Sequence, residues 1–144
     1  MRKSYILIAV CLGLLALASP GASQNSERFR IRLTTVPMDG GMRNTVAGSG
    51  SATASLSGAT LSITGTFDGL KSPATAATVH GGAAKGVRGP SLGDLVVSKA
   101  TRGTLTGSIN LTPEQVKGLR EGRLYVELAS EKAPEGNLWG WILK

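Results

Sequence analysis

His80 is the only histidine in the chain and the only side chain outside the N-terminal apolar run that could serve at neutral pH as both a base and a metal ligand. A zinc or copper site wants three or four nitrogen, sulfur or oxygen ligands, and neither a cysteine nor an acidic cluster lies near His80 in the sequence. His80, beside Gly81-Gly82, therefore reads as a structural side chain that hydrogen-bonds a loop to a strand, with contact to a ligand as the alternative. Other catalytic constellations are missing: no phosphate loop of the GxxxxGK[ST] form occurs, and no serine has a histidine–acid pair recognisable by local motif. The nine acids are scattered, with Glu121, Glu127, Glu131 and Glu135 gathered around a late strand and its loop, while Asp68 and Asp94 stand beside turns, where Asp supports the backbone. Helix-turn-helix and zinc-finger patterns have no support. The chain reads as a non-enzyme, with no catalytic residue, metal or cofactor assigned.

Aromatic and basic residues offer a different chemistry, that of contact. Leu138, Gly140 and Ile142 share one face of the last strand, so Trp139 and Trp141 share the other, and Tyr125 points away from the Leu124, Val126 and Leu128 side. Outward rings can stack on sugars or close an interface. The alternative is that a loop, or the side chains of Arg28, Arg30 and Arg32, covers them in a cation–π arrangement worth about 0.5–2 kcal/mol per contact. The arginine row itself reads as a solvated strand face, with contact to an anionic surface as its functional alternative.

Strands must position these residues, because the period along the chain is two. Phe29, Ile31 and Leu33 alternate with the three arginines; Leu61, Ile63 and Phe67 alternate with Ser62, Thr64 and Thr66; Leu105, Ile109 and Leu111 alternate with Thr104, Thr106 and Asn110. One apolar face per segment marks half-buried antiparallel strands, expected near 28–36, 46–56, 59–67, 75–81, 94–98, 103–111, 123–129 and 137–143. Ser57-Gly58 supplies a hairpin turn. The second segment carries only small residues between Val46 and Leu56, which predicts an edge strand or a place where two backbones approach closely. Thr112-Pro113-Glu114-Gln115 has a capping-box layout, with Leu111 and Val116 spaced as a hydrophobic staple, and Gly122 can end that helical segment. Short strands at this spacing favour a sandwich or a barrel.

Two stretches carry a family resemblance: residues 75–90, TAATVHGGAAKGVRGP, and residues 124–142, LYVELASEKAPEGNLWGWI. They resemble the chordin-type (CHRD) domain family, in which a T-A-A-H-x-H-G-P-A strand opens a Gly/Pro/Ala loop and a late G-x-L-Y-V strand leads through N-P-G-G-E to a closing I-R-G-Q strand. The resemblance spans residues 28–144. It implies an exported, bacterial-type single domain: an antiparallel Greek-key β-sandwich, immunoglobulin-like or Cu,Zn superoxide dismutase-like, with one short helical crossover. Dismutase chemistry needs a set of histidines, and the first histidine of the family strand is Thr78 here, so a divergent metal protein of that kind is disfavoured. Asn137 stands where the family pattern has a carboxylate, Trp139 where it has arginine and Trp141 where it has glutamine. With Thr78 expected opposite Asn137, the two changes read as loss of one polar contact pair.

The first residues read as an address. Arg2 and Lys3 precede the apolar run 5–18 and the small residues 19–23, the layout of a secretory signal peptide assigned to 1–23; about fourteen apolar residues fall short of the roughly twenty that a membrane span needs. Formal charge is +7, and +5 once Arg2 and Lys3 are gone. A modestly basic exported protein can meet acidic polysaccharide or lipid head groups. The expected role is a non-catalytic binding or structural module, secreted or periplasmic. Its partner would be a protein or polysaccharide of the cell envelope or exterior and not nucleic acid, with no transmembrane segment after cleavage; the alternative is a carbohydrate- or envelope-polymer-binding module using Trp139 and Trp141 as exposed aromatics, and His80, Tyr125 and Asn137 join them as candidate ligand or partner contacts. Since the only cysteine, Cys11, lies within the apolar run, the secreted protein should begin between Ser19 and Ser26 and give no thiol adduct. N-terminal sequencing and mass spectrometry after maleimide treatment check this, and intact Met1 on secreted material would contradict it.

Overall fold

Eight amphipathic segments can hide their apolar faces from water together by closing into a ring, and they do so here. The computed structural model describes residues 25–144, so the segment read as a signal peptide lies outside the described residues. The strands are β1 (Glu27–Thr35), β2 (Ser49–Ser57), β3 (Thr60–Asp68), β4 (Ala74–Gly81), β5 (Ser91–Val97), β6 (Gly103–Asn110), β7 (Leu124–Ser130) and β8 (Ala133–Leu143), with helix α1 (Pro113–Arg120) between β6 and β7. Every neighbouring pair is antiparallel, and the order around the wall is β1-β2-β3-β6-β5-β4-β7-β8. The connection β3 to β4 passes β6 and β5; the connection β6 to β7, which contains α1, passes β5 and β4.

The expected two-layer sandwich is corrected to a closed barrel. The first strand pairs with the last through Arg30↔Leu143, Ile31↔Ile142, Thr34↔Trp139 and Thr35↔Leu138, which leaves no free edge. Eight strands enclose an interior that side chains alone can fill, and Phe29, Ile31, Leu33, Leu61, Phe67, Leu105, Leu128, Leu138 and Ile142 fill it. The second strand is accordingly not an edge, since β2 pairs along its length with β1 and β3. Its small residues serve the other expectation, close approach: a Cβ on Gly50 would lie 2.4 Å from the Thr66 carbonyl oxygen, and one on Gly65 would lie 2.4 Å from the Ala52 Cβ.

Helix α1 forms where its capping box lies. Thr112 Oγ1 accepts from the Gln115 N–H at 3.3 Å and Gln115 Oε1 accepts from the Thr112 N–H at 2.9 Å, with Pro113 at the first helical position. Gly122, at φ +72°, turns the chain into β7. The helix is tied to the barrel through Glu27, whose carboxylate accepts from Arg120 at 2.5 Å and from Lys144 at 2.9 Å, so one acid at the start of β1 holds both α1 and the end of β8. The Arg120 hydrogen bond first, then that from Lys144, lowers the Glu27 carboxyl from its ordinary 4.5 to about 2. A carboxylate lowered in the folded state stabilises fully above its ordinary value, and the gain is lost as pH falls towards the folded value. Between pH 4.5 and pH 2, the thermal midpoint of the native protein should thus fall further than that of Glu27→Gln, as followed by circular dichroism; parallel curves would remove Glu27 from the clamp.

Candidate functional site

With the interior filled by side chains, chemistry is confined to the outside of the wall, where two regions stand out. On β4, β7 and β8 the outward residues form transverse rows, His80↔Tyr125↔Trp141 and Thr78↔Glu127↔Trp139. Thr78 opposes Glu127 and not Asn137, so the expected Thr78–Asn137 pairing is corrected: the two positions lie on strands separated by β7. Asn137 is fully buried and grips the chain before β2, accepting from the Ala47 N–H at 3.1 Å and donating to the Ala47 carbonyl at 3.2 Å. A buried amide so satisfied is a strut for the 36–48 loop.

The four rings form one cluster: His80 stacks on Tyr125 at 5.0 Å, and Tyr125 lies 4.6 Å from Trp141 and 5.9 Å from Trp139. The expectation of three outward-facing, accessible aromatics is corrected for Tyr125, which keeps 1 % of its surface, whereas Trp139 and Trp141 are half-buried. The covering is a loop. Gly89 donates its N–H to the Tyr125 oxygen at 3.1 Å, and Gly89 O faces His80 Nδ1 at 3.0 Å. A carbonyl only accepts, so Nδ1 carries the proton and Nε2 accepts from the Thr78 hydroxyl at 2.7 Å. The cation over the rings is Arg88, 5.5 Å above Trp139 and bonded to Glu127 at 2.7 Å, in place of Arg28, Arg30 and Arg32. Val36, Val46 and Met42 of the other loop pack with Trp139 as a second, smaller core. His80 thus bridges loop and strand.

The second region is the outer face of β1, β2, β3 and β6. Register aligns Arg32↔Ser51↔Thr66↔Thr104, Arg30↔Thr53↔Thr64↔Thr106 and Arg28↔Ser55↔Ser62↔Ser108. Each row runs from one arginine into three hydroxyls, and all these residues are exposed except Ser55, which is half-buried. Among the described residues, none of the three arginines makes an ion pair. Three adjoining depressions indent this face. The arginines were singled out by sequence; the hydroxyls opposite them were not, because alternation shows that Thr64 points outward but not which residues stand beside it. The Arg88–Glu127 pair escaped the sequence reading because Arg88 lies in the 82–90 loop, where no alternation holds.

Among the described residues, no three His, Cys, Asp or Glu side chains come together to hold a metal ion, and no helix is long and apolar enough to cross a membrane. The described residues form a closed antiparallel β-barrel with a ring cluster on one side of its exterior and an arginine–hydroxyl face on the other. The chain belongs to the CHRD domain family, whose model matches residues 31–142. Neither the curated proteins nor the solved structures gave a match to this chain.

His80→Ala removes the donor to Gly89 O and the stacking partner of Tyr125. The variant should lose about 1–3 kcal/mol, the range for a buried polar group left without its partner, read from urea unfolding. Backbone amides of residues 82–90 should exchange faster with deuterium; unchanged exchange in that loop would show that His80 does not anchor it.

Proposed function

We propose that the protein is an exported, non-catalytic binding module that attaches to a component of the cell envelope or exterior through the outer face of β1, β2, β3 and β6. Membership of the CHRD domain family supports a small extracellular binding module in general. The observation that carries the particular reading is the row Arg28, Arg30 and Arg32, three exposed guanidinium groups with no acidic partner among the described residues. Acids pair some of the other basic groups: Glu127 with Arg88, Asp68 with Arg102, Glu121 with Arg123, and Glu27 with Arg120 and Lys144. The aromatic wall supports binding less well, because its central ring is buried and two loops lie over it.

The test is co-sedimentation of the purified domain with isolated envelopes of the producing cell. Replacing Arg28, Arg30 and Arg32 together by Ser should weaken retention by about tenfold or more, the equivalent of 1.4 kcal/mol. The matched control, Lys85, Lys117 and Lys132 replaced by Ser, removes the same charge from the 82–90 loop, α1 and the β7–β8 turn and should leave retention intact. Equal loss in both variants would mean that net charge alone governs attachment, and this face would lose its role.

A further inference from the structure

Resting on that reading, we infer that the β1-β2-β3-β6 face is a trough for a linear anionic polysaccharide, laid along the strands with its acidic groups on the arginine side. The trough has a cause inside the barrel. The inward rows behind the face are Leu33↔Gly50↔Phe67, Ile31↔Ala52↔Gly65↔Leu105 and Phe29↔Ala54↔Ile63↔Gly107. Gly50, Gly65 and Gly107 step diagonally across these rows from β2 to β3 to β6, and Gly103 ends the first row opposite Phe67. A Cβ on Gly50, Gly65 or Gly107 would come within 3.0 Å of a neighbouring atom, and none of these three has a left-handed backbone. Space and not backbone angle therefore excludes a side chain there. The crowding atoms belong to the adjacent strands, so neighbouring strands draw together along that diagonal, and each of the three depressions on the outside includes one of these glycines. Adjacent depressions share residues, the first two Thr53 and Thr64, the second pair Ser51 and Thr66. They form a continuous channel of about 20 Å, six strand steps from Ser49 to Ser55.

The chemistry of the channel selects its occupant. Arg28, Arg30 and Arg32 repeat about every 7 Å along one flank, each able to take a carboxylate or sulfate in a forked pair of hydrogen bonds. Lys144, paired with Glu27, stands at one end, and Arg102, paired with Asp68, at the other. The floor is hydroxyl, which can exchange donor and acceptor roles with sugar hydroxyls. Single-stranded nucleic acid asks instead for aromatic platforms in its basic groove, and both phenylalanines of these strands, Phe29 and Phe67, point into the core. A neutral glycan would leave the three guanidinium groups without a counter-charge.

The experiment measures binding of the purified domain to polygalacturonate (carboxylate) and to heparin (sulfate), with dextran and oligothymidylate as neutral and nucleic-acid comparisons, by calorimetry at two salt concentrations. At least one anionic polysaccharide should bind, more weakly at the higher salt because exposed charges are screened, and dextran should not. Arg30→Gln should weaken binding about fivefold to tenfold, as expected for a charge-assisted pair of about 1 kcal/mol or more. Thr64→Trp, which fills the channel without altering charge, should weaken it at least as much; Thr106→Trp serves if the first variant is misfolded by circular dichroism. Undiminished binding in the tryptophan variants would overturn the trough, and equal or tighter binding of oligothymidylate would overturn the polysaccharide assignment. If neither anionic polysaccharide binds while envelope retention still depends on the arginines, the polysaccharide inference fails and the attachment face stands. If retention is also independent of them, both fail.

Discussion

Closure of the wall through the pairing of β1 with β8 governs the rest of the structure. Once Ile31 lies against Ile142 and Thr34 against Trp139, every strand has two neighbours and the interior volume is fixed by the ring of eight. A closed ring of this size holds one packed core and no internal chamber, so its surface relief is decided by how closely neighbouring strands approach. Large inward residues space the strands, and the diagonal Gly50, Gly65 and Gly107 lets neighbouring strands draw together. The indented outer face is in this sense a consequence of core packing, and the side chains on it need only be small enough not to refill it.

The same closure leaves the other side of the barrel to be dressed by loops. Strands β4, β7 and β8 carry His80, Tyr125, Trp139 and Trp141 outward, rings too apolar to face water as a group. The 36–48 segment, pinned by Asn137 to Ala47, and the 82–90 segment, pinned by His80 and Tyr125 to Gly89, lie against that surface. Polar tips of the ring residues hold the loop backbone while their faces pack. Neither loop has regular structure beyond one short 3-10 turn at Met42–Asn44, and each is defined by what it covers.

Strand positions were legible because alternation is a local property: the expected bounds of most strands differ from the observed ones by three residues or fewer, and the Thr112 capping box formed as spaced. Two starts were read late, β5 at Ser91 and β8 at Ala133, where Gly93 interrupts the apolar pattern in one and Pro134 and Gly136 do so in the other. The choice between two layers and a ring was not legible, since it depends on whether residues more than a hundred positions apart, such as Ile31 and Ile142, become neighbours. Pairing errors followed from that. Thr78 was set against Asn137 though Glu127 stands there, and the cation over the tryptophans is Arg88, brought by a loop whose path no period encodes. The arginine row was visible as a row, and its meaning waited on the hydroxyls that register sets beside it.

Both tryptophans of the protein belong to the ring cluster on the outer wall, with Tyr125 within 6 Å of each. Its tryptophan emission, including that excited through Tyr125, therefore originates in one patch beneath two loops and not in the interior, where Phe29 and Phe67 lie. A fluorescence trace would report the seating of those loops, while far-ultraviolet dichroism would report the barrel. Where the two disagree during denaturation, the interval between them is a direct spectroscopic record of a barrel that has shed its cover and kept its wall.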